Sequence, residues 1–170
     1  MKDNADNYRE IITKAVCGSG NQVVKSTDEV FARDVPSSIL GCWIINHEYK
    51  AGKQTNNTVQ VEGRYDINIW YAFRDNTKTG LVTEEVHYYD EIPLQYMDQH
   101  ALNDMNEVTA KVIKQPTCNE CRVTEGEKIL VDVEKEFAVE VIGETKVKVQ
   151  VIPVPIKRNP SQTPAVKRVK

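Results

Sequence analysis

Cys118 and Cys121, spaced as CxxC just after Pro116, have the separation of a zinc knuckle or a dithiol redox pair. A structural zinc site needs four ligands, and no second CxxC exists; Cys17 and Cys42 fall on other predicted strands. A redox role asks for the motif at a helix N-terminus within a βαβ unit, and none is predicted. The motif is expected to sit in a turn, either as an incidental pair or as a site of oxidative cross-linking, and no metal or cofactor is expected.

The histidines are His47, His87 and His100, and His87 has Glu84 and Glu85 nearby. Glu85 and His87 share a strand face, an arrangement suited to a metal or a general base but equally that of an exposed polar face. Glu62 and Asp66 also share a face, as paired glycosidase carboxylates must, yet sequence cannot set their separation across a cleft. GxSxG, HExxH, P-loop and GxGxxG patterns are missing, and Gly18-Ser-Gly20 is not followed by a helix able to cradle phosphate. Asn56-Asn57-Thr58 fits a glycosylation sequon and is read as an ordinary loop. No catalytic residue is assigned, and the chain is expected not to be an enzyme.

The elements that would carry these residues are strands. Val59, Val61, Tyr65, Ile67, Ile69, Tyr71 and Phe73 alternate with polar residues, the period-two pattern of a half-buried strand. Val131, Val133, Phe137, Val139 and Val141 repeat it against Asp132, Glu134, Glu136 and Glu140. Residues 39–49 are apolar on both faces, which predicts a central strand crossing the core. Further strands are predicted at residues 8–17, 21–25, 81–90, 107–115 and 145–152, with turns at 18–21, 51–57, 75–79 and 125–128 and one short helical stretch at 99–107.

Overlaying Val59–Ile69 on Val131–Val141 keeps every apolar position in register and places Gly63 against Lys135. Short polar turns carrying Thr77-Lys78 and Thr145-Lys146 follow the two copies. The overlay suggests two related β units, although any two amphipathic strands share a period of two. Gly63 is read as a bulge or bend, since its counterpart Lys135 would point toward the apolar face. Trp70 falls on the polar side of its strand, where an interface residue, a sugar-stacking platform with Tyr71, or a second core layer are all consistent.

The fold class expected is all-β: two related antiparallel units, of sandwich or small-barrel type, with a disordered C-terminal tail. Residues 1–7 are a flexible start, 8–100 the first β unit with its N-terminal strand, 101–152 the second, and 153–170 a proline-containing basic tail. That tail carries five cations and no acid, so the remainder has eight excess negative charges out of a net −3. The balance gives no bulk attraction to nucleic acid or anionic lipid, and no apolar run approaches the roughly 18 residues of a membrane span. The polar opening MKDNADNYRE lacks a signal peptide's apolar stretch, so retention in the compartment of synthesis is expected, with reduced thiols.

Several stretches together resemble the spore coat protein E (CotE) family: Tyr8-Arg-Glu-Ile-Ile-Thr-Lys-Ala-Val16, Pro36-Ser-Ser-Ile-Leu-Gly41, Trp43-Ile-Ile-Asn-His47, Glu62-Gly63, Tyr65-Asp-Ile-Asn68, Trp70-Tyr71, Asp75-Asn-Thr-Lys-Thr79 and Gly143-Glu-Thr-Lys146. They run in order from residue 8 to about 151. The resemblance implies a morphogenetic scaffold without a cofactor, made in the mother-cell cytoplasm and then laid into the outer spore coat. It implies homo-oligomers formed through the N-terminal and central parts, docking on a basement-layer morphogenetic protein, and recruitment of outer-coat proteins. The contact residues expected are Tyr8, Ile11, Ile12, Val16, Trp70 and Tyr71, with Lys157, Arg158, Lys167 and Arg168 as tail contacts. Other family members end in a long acidic tail where this chain ends in a short basic one, so the partners recruited need not be shared. The alternative is a carbohydrate-binding β-sandwich module acting on spore-surface glycans.

Overall fold

The computed structural model describes residues 7–55, 57–96, 106–152 and 154–155. Among the described residues there are seven strands and no α-helix: β1 (Tyr8–Phe31), β2 (Pro36–Gln54), β3 (Thr58–Phe73), β4 (Lys78–Pro93), β5 (Gln95–Tyr96), β6 (Glu107–Val123) and β7 (Lys128–Gln150). They form two open antiparallel sheets, ordered β5-β1-β7-β6 and β2-β3-β4, so the all-β expectation holds as sheets and not as closed barrels. The four-stranded sheet takes β1 and β5 from residues 8–100 and β6 and β7 from residues 101–152.

Contacts divide the chain into two compact units, Lys14–Thr145 and a second made of Met1–Thr13 with Lys146–Lys170. The larger unit is a sandwich whose core is laid down by period-two alternation. On β3, Val59, Val61, Tyr65, Ile67, Ile69 and Tyr71 are buried; on β7, Ile129, Val131, Val133, Phe137, Val139 and Val141 are buried, and all join one core cluster. Each fully buried Val, Ile or Phe contributes roughly 1.5–3 kcal/mol, so these two faces dominate the stability of the unit. β3 and β4 pair without interruption from Thr58 against Pro93 to Phe73 against Lys78.

The smaller unit contains the start of β1 and the end of β7. Lys146 Nζ lies 3.4 Å from Glu10 Oε1, and the Val151 N–H donates to the Asn7 carbonyl at 2.6 Å. β5 pairs only with Gly18 and Ser19 of β1, and β6 reaches along β7 only as far as Ile142.

Local expectations need correction in several places, among them the turn at 51–57, whose first four residues belong to β2. Residues 39–49 belong to an edge strand, with Cys42 and Ile44 packed on the core and Trp43 and Ile45 exposed on the far side. Their apolar character on both faces reflects an exposed apolar face. Residues 18–21 do not turn: β1 runs straight through them, because Gly18 and Gly20 make room for the chain at Tyr96 and Pro93. Thr145 and Lys146 lie within β7, and Cys118 and Cys121 lie within β6, where turns were expected. The helical stretch at 99–107 lies outside the described residues except Asn106 and Glu107, the latter opening β6; residues 1–6 and 156–170, and Asn56 of the sequon, also lie outside them.

Candidate functional site

β2 carries four register irregularities against β3, and one of them builds the most elaborate polar cluster in the core. Between Ile45 (opposite Asp66) and Glu48 (opposite Arg64), two residues face one, and Asn46 takes a left-handed φ of 55° that asparagine tolerates. Its side-chain amide is held by Asp66 Oδ2 at 2.9 Å. The bulge directs His47 among Tyr49, Tyr65, Tyr88 and Phe137, with ring centroids 5.2–6.4 Å away.

The histidine's hydrogen bonds fix its state. Gln115 Oε1 accepts from Nδ1 at 2.8 Å, leaving Nε2 to accept from the Tyr88 hydroxyl at 2.6 Å. Burial pulls the His47 pKa below the ordinary value against the Gln115 hydrogen bond, and the nearby Lys135 charge also lowers it. Burial pushes the Tyr88 and Tyr65 hydroxyls up, helped for Tyr88 by Asp90 and for Tyr65 by the hydrogen bond it donates to Asp28 Oδ2 at 2.5 Å. Tyr49 is held by the Val112 N–H, which donates to its hydroxyl at 3.1 Å.

Lys135 completes the cluster. It stands at an inward position of β7, 1% exposed, with Nζ 3.1 Å from Asp90 Oδ2 and 4.1 Å from the Tyr88 ring centroid. Asp90 Oδ2 has no aligned hydrogen bond, so the pairing is ionic. Gly63 explains how the ring reaches that place: a Cβ there would overlap the Tyr88 hydroxyl and lie 2.5 Å from the Glu48 carbonyl oxygen. The expected bulge is absent, since β3 runs in unbroken register with β4 through Gly63. Lys135 and Gly63 stood out in the sequence, and Tyr65 and Phe137 follow from alternation; His47 is brought in by the β2 bulge, which leaves no composition signal.

These groups hold one another by hydrogen bonds and charge, and two of them, Tyr49 and Tyr88, also line a surface depression beside Gly63. The depression of about 400 Å³ beside Gly63 is lined by charges already committed to each other: Lys50 to Glu62 at 2.8 Å, and Arg64 to Glu48 at 2.9 Å and Glu85 at 3.4 Å. Glu85 and His87 share a face as expected, 2.6 Å apart and exposed. Glu62 and Asp66 are likewise occupied, by Lys50 and Asn46.

Three thiols do converge. Cys42 on β2 lies close enough to Cys121 and Cys118, both on β6, for the three thiols to influence one another, and all three are half-buried. Among the described residues, no group of three or more His, Cys, Asp and Glu side chains is arranged to hold a metal ion.

The remaining expected contact residues divide by face. Tyr8, Ile11, Ile12 and Val16 are exposed along β1. Trp70 is 46% exposed, but Tyr71 is 2% exposed and packs in the core, because adjacent strand residues face opposite sides; Tyr71 cannot join Trp70 at a contact or a stacking platform. Trp70 instead shares its face with Trp43 and Leu81: Gly41, Trp70 and Leu81 form one cross-strand row, and Trp43, Asn68 and Thr83 the next. The tail residues Lys157, Arg158, Lys167 and Arg168 lie outside the described residues. Among the described residues, no helix is long and apolar enough to cross a membrane.

Searches of the curated proteins and of the solved structures return no match to this chain. Residues 7–166, most of the chain, match the model of the outer spore coat protein E (CotE) family, and the chain belongs to that family of spore coat proteins.

Proposed function

We propose that this protein is a non-enzymatic morphogenetic scaffold of the outer spore coat, which self-assembles into homo-oligomers and recruits other coat proteins. On this reading it is made in the mother-cell cytoplasm and docks on a basement-layer coat protein before outer-coat proteins join. The observation that carries self-assembly is the pair of strands formed by the start of β1 and the end of β7. Tyr8, Ile11 and Ile12 on one strand, Val147 and Val149 on the other, and Val151 just after it are all exposed. Side chains at adjacent positions such as Ile11 and Ile12 leave apolar surface on both faces.

The occupant that fits is a second copy of the chain. β5 pairs with Gly18 and Ser19 of β1, and the exposed apolar residues Tyr8, Ile11 and Ile12 lie along the same strand before them. An open edge can pair antiparallel with its own copy across a two-fold axis, which satisfies both edges at once. Light scattering of the full chain over a concentration series tests this. Wild-type protein should form multimers of the 19.3 kDa chain, and the exposed double variant Ile11→Lys/Ile12→Lys should move to monomer. Monomer alone at every wild-type concentration overturns the reading.

Client recruitment is assigned to the Trp43, Trp70 and Leu81 face, since exposed tryptophans are the commonest anchors of protein interfaces. The polar side chains of Asn68 and Thr83, in the same cross-strand row as Trp43 and next to the row of Trp70, favour a second reading, a glycan-binding face. Calorimetric titration with spore saccharides separates them: saturable heat that disappears in Trp70→Ala supports the glycan reading, and no heat with loss of coat-protein binding in that variant supports recruitment.

A further inference from the structure

β2 and β6 are edge strands of different sheets, and they pack against each other. Residues three apart on a regular strand face opposite ways, so Cys118 and Cys121 should diverge. A register shift between Cys118 and Glu120 inserts one extra residue, and Cys118 then pairs with Val133 while Cys121 pairs with Val131. Both partners are core-facing, so the bulge turns both thiols inward. Cys42 pairs with Ile69, another core-facing residue, and comes to meet them from the other sheet.

We propose that Cys42 and Cys121 are an oxidation site that closes to an intramolecular disulfide when hydrogen peroxide reaches it, with Cys118 as the thiol that exchanges with that bond. The three sulfurs are held unequally. Cys42 donates its hydrogen to Cys121, which pushes the Cys42 thiol far up and pulls Cys121 down, with the Arg122 charge acting the same way on Cys121. Burial pushes Cys118 up. Of the three, Cys121 therefore forms the thiolate most readily, and its partial exposure admits a small oxidant.

The steps balance. The Cys121 thiolate attacks one oxygen of the peroxide, the O–O bond breaks, and the departing hydroxide takes up a proton as water, leaving a sulfenic acid at Cys121. The Cys42 sulfur then attacks the Cys121 sulfur and the S–O bond breaks. Hydroxide leaves with the Cys42 proton as the second water. Two thiols lose two electrons in all, and one peroxide gains them. Exchange with Cys118 moves the S–S bond with no net redox change.

The product ties the two sheets together at their shared edge. Because it closes a loop of roughly 80 residues, a rise in Tm on the order of 10 °C is expected. Cys17 is an internal control, since it is fully buried and donates to the Val141 carbonyl at 3.2 Å.

The reduced full-length chain is treated with hydrogen peroxide, alkylated, digested without reductant and mapped by mass spectrometry. The expected product is a peptide pair joined through Cys42 and Cys121, lighter by two hydrogens, with Cys17 alkylated and Tm raised. Cys118→Ser keeps that link. Cys42→Ser/Cys118→Ser traps a dimedone adduct on Cys121, a readout that does not depend on the disulfide's effect on folding. All four cysteines alkylated after peroxide, a Cys118–Cys121 bond as the only product, or links between chains alone would each overturn the proposal.

Discussion

The buried Lys135–Asp90 pair makes the sharpest test of how the core is organised. At 3.1 Å and an effective dielectric constant near 20, the attraction between the two charges is about 5 kcal/mol, and the Tyr88 face adds about 1–2 kcal/mol to the ammonium. Removing each ion from water costs several kcal/mol, so the intact pair is close to neutral for stability. Breaking it is not. Asp90→Leu strands an ammonium that is 1% exposed, and a loss of about 3–5 kcal/mol is expected. Lys135→Met leaves a carboxylate whose side chain keeps 13% exposure and some hydration, so a smaller loss of about 1–3 kcal/mol is expected. The double variant should return to within about 1 kcal/mol of wild type or exceed it, giving a coupling of about 3 kcal/mol or more. Urea unfolding followed by tryptophan fluorescence measures all four corners of the cycle. A coupling below about 1 kcal/mol would mean that the ammonium reaches water by another path, and would refute the buried pairing.

Three further predictions follow from the same geometry. Gly63→Ala forces a methyl group into the Tyr88 hydroxyl and the Glu48 carbonyl, so a loss of about 1–3 kcal/mol is expected in the same urea assay. Because the folded-state pKa of His47 is lowered, the unfolded chain binds the proton more readily; the stability held above pH about 6.5 should fall on acidification through that value, and His47→Gln should flatten this slope between pH 7 and pH 5.5 in pH-dependent unfolding. At Arg74, where φ is 50° in the β3–β4 turn, glycine removes roughly 1–2 kcal/mol of left-handed strain and returns about 0.5–1 kcal/mol through chain entropy. Arg74→Gly should therefore raise Tm by roughly 1–4 °C, read by calorimetry.

What the sequence made legible was whatever a period of two controls. The inward faces of β3 and β7, the outward position of Trp70 and the pairing of Glu85 with His87 on one face all follow from alternation alone. Three kinds of feature escape it. Glycines at 18 and 20 read as a turn, but their function is close approach of a distant chain segment, which local sequence cannot distinguish. An edge strand with an exposed apolar face reads the same as a central strand, so β2 was placed in the wrong position within its sheet. The bulges at Asn46 and near Asn119 shift parity by one residue, and that shift alone turns His47 inward and brings Cys118 to the side of Cys121.

The position where the repeated pattern fails is the one that shows why it fails. Gly63 and Lys135 occupy the same place in the overlay of the two strands, and each breaks the apolar series of its own strand. In the folded core they are connected through one side chain: the missing side chain at 63 lets the Tyr88 ring turn inward, and Lys135 lies over that ring and pairs with Asp90, two residues further along β4. An alternating series tolerates displacement by two residues, because every apolar position then meets another. A buried ammonium does not, since any such slip of β7 carries it away from the carboxylate at Asp90 and the ring at Tyr88. The mismatch between the two strands therefore fixes the register of one sheet on the other, and the Asp90→Leu/Lys135→Met variant, near wild type in stability, should lose that definition as broadened core resonances in NMR spectra.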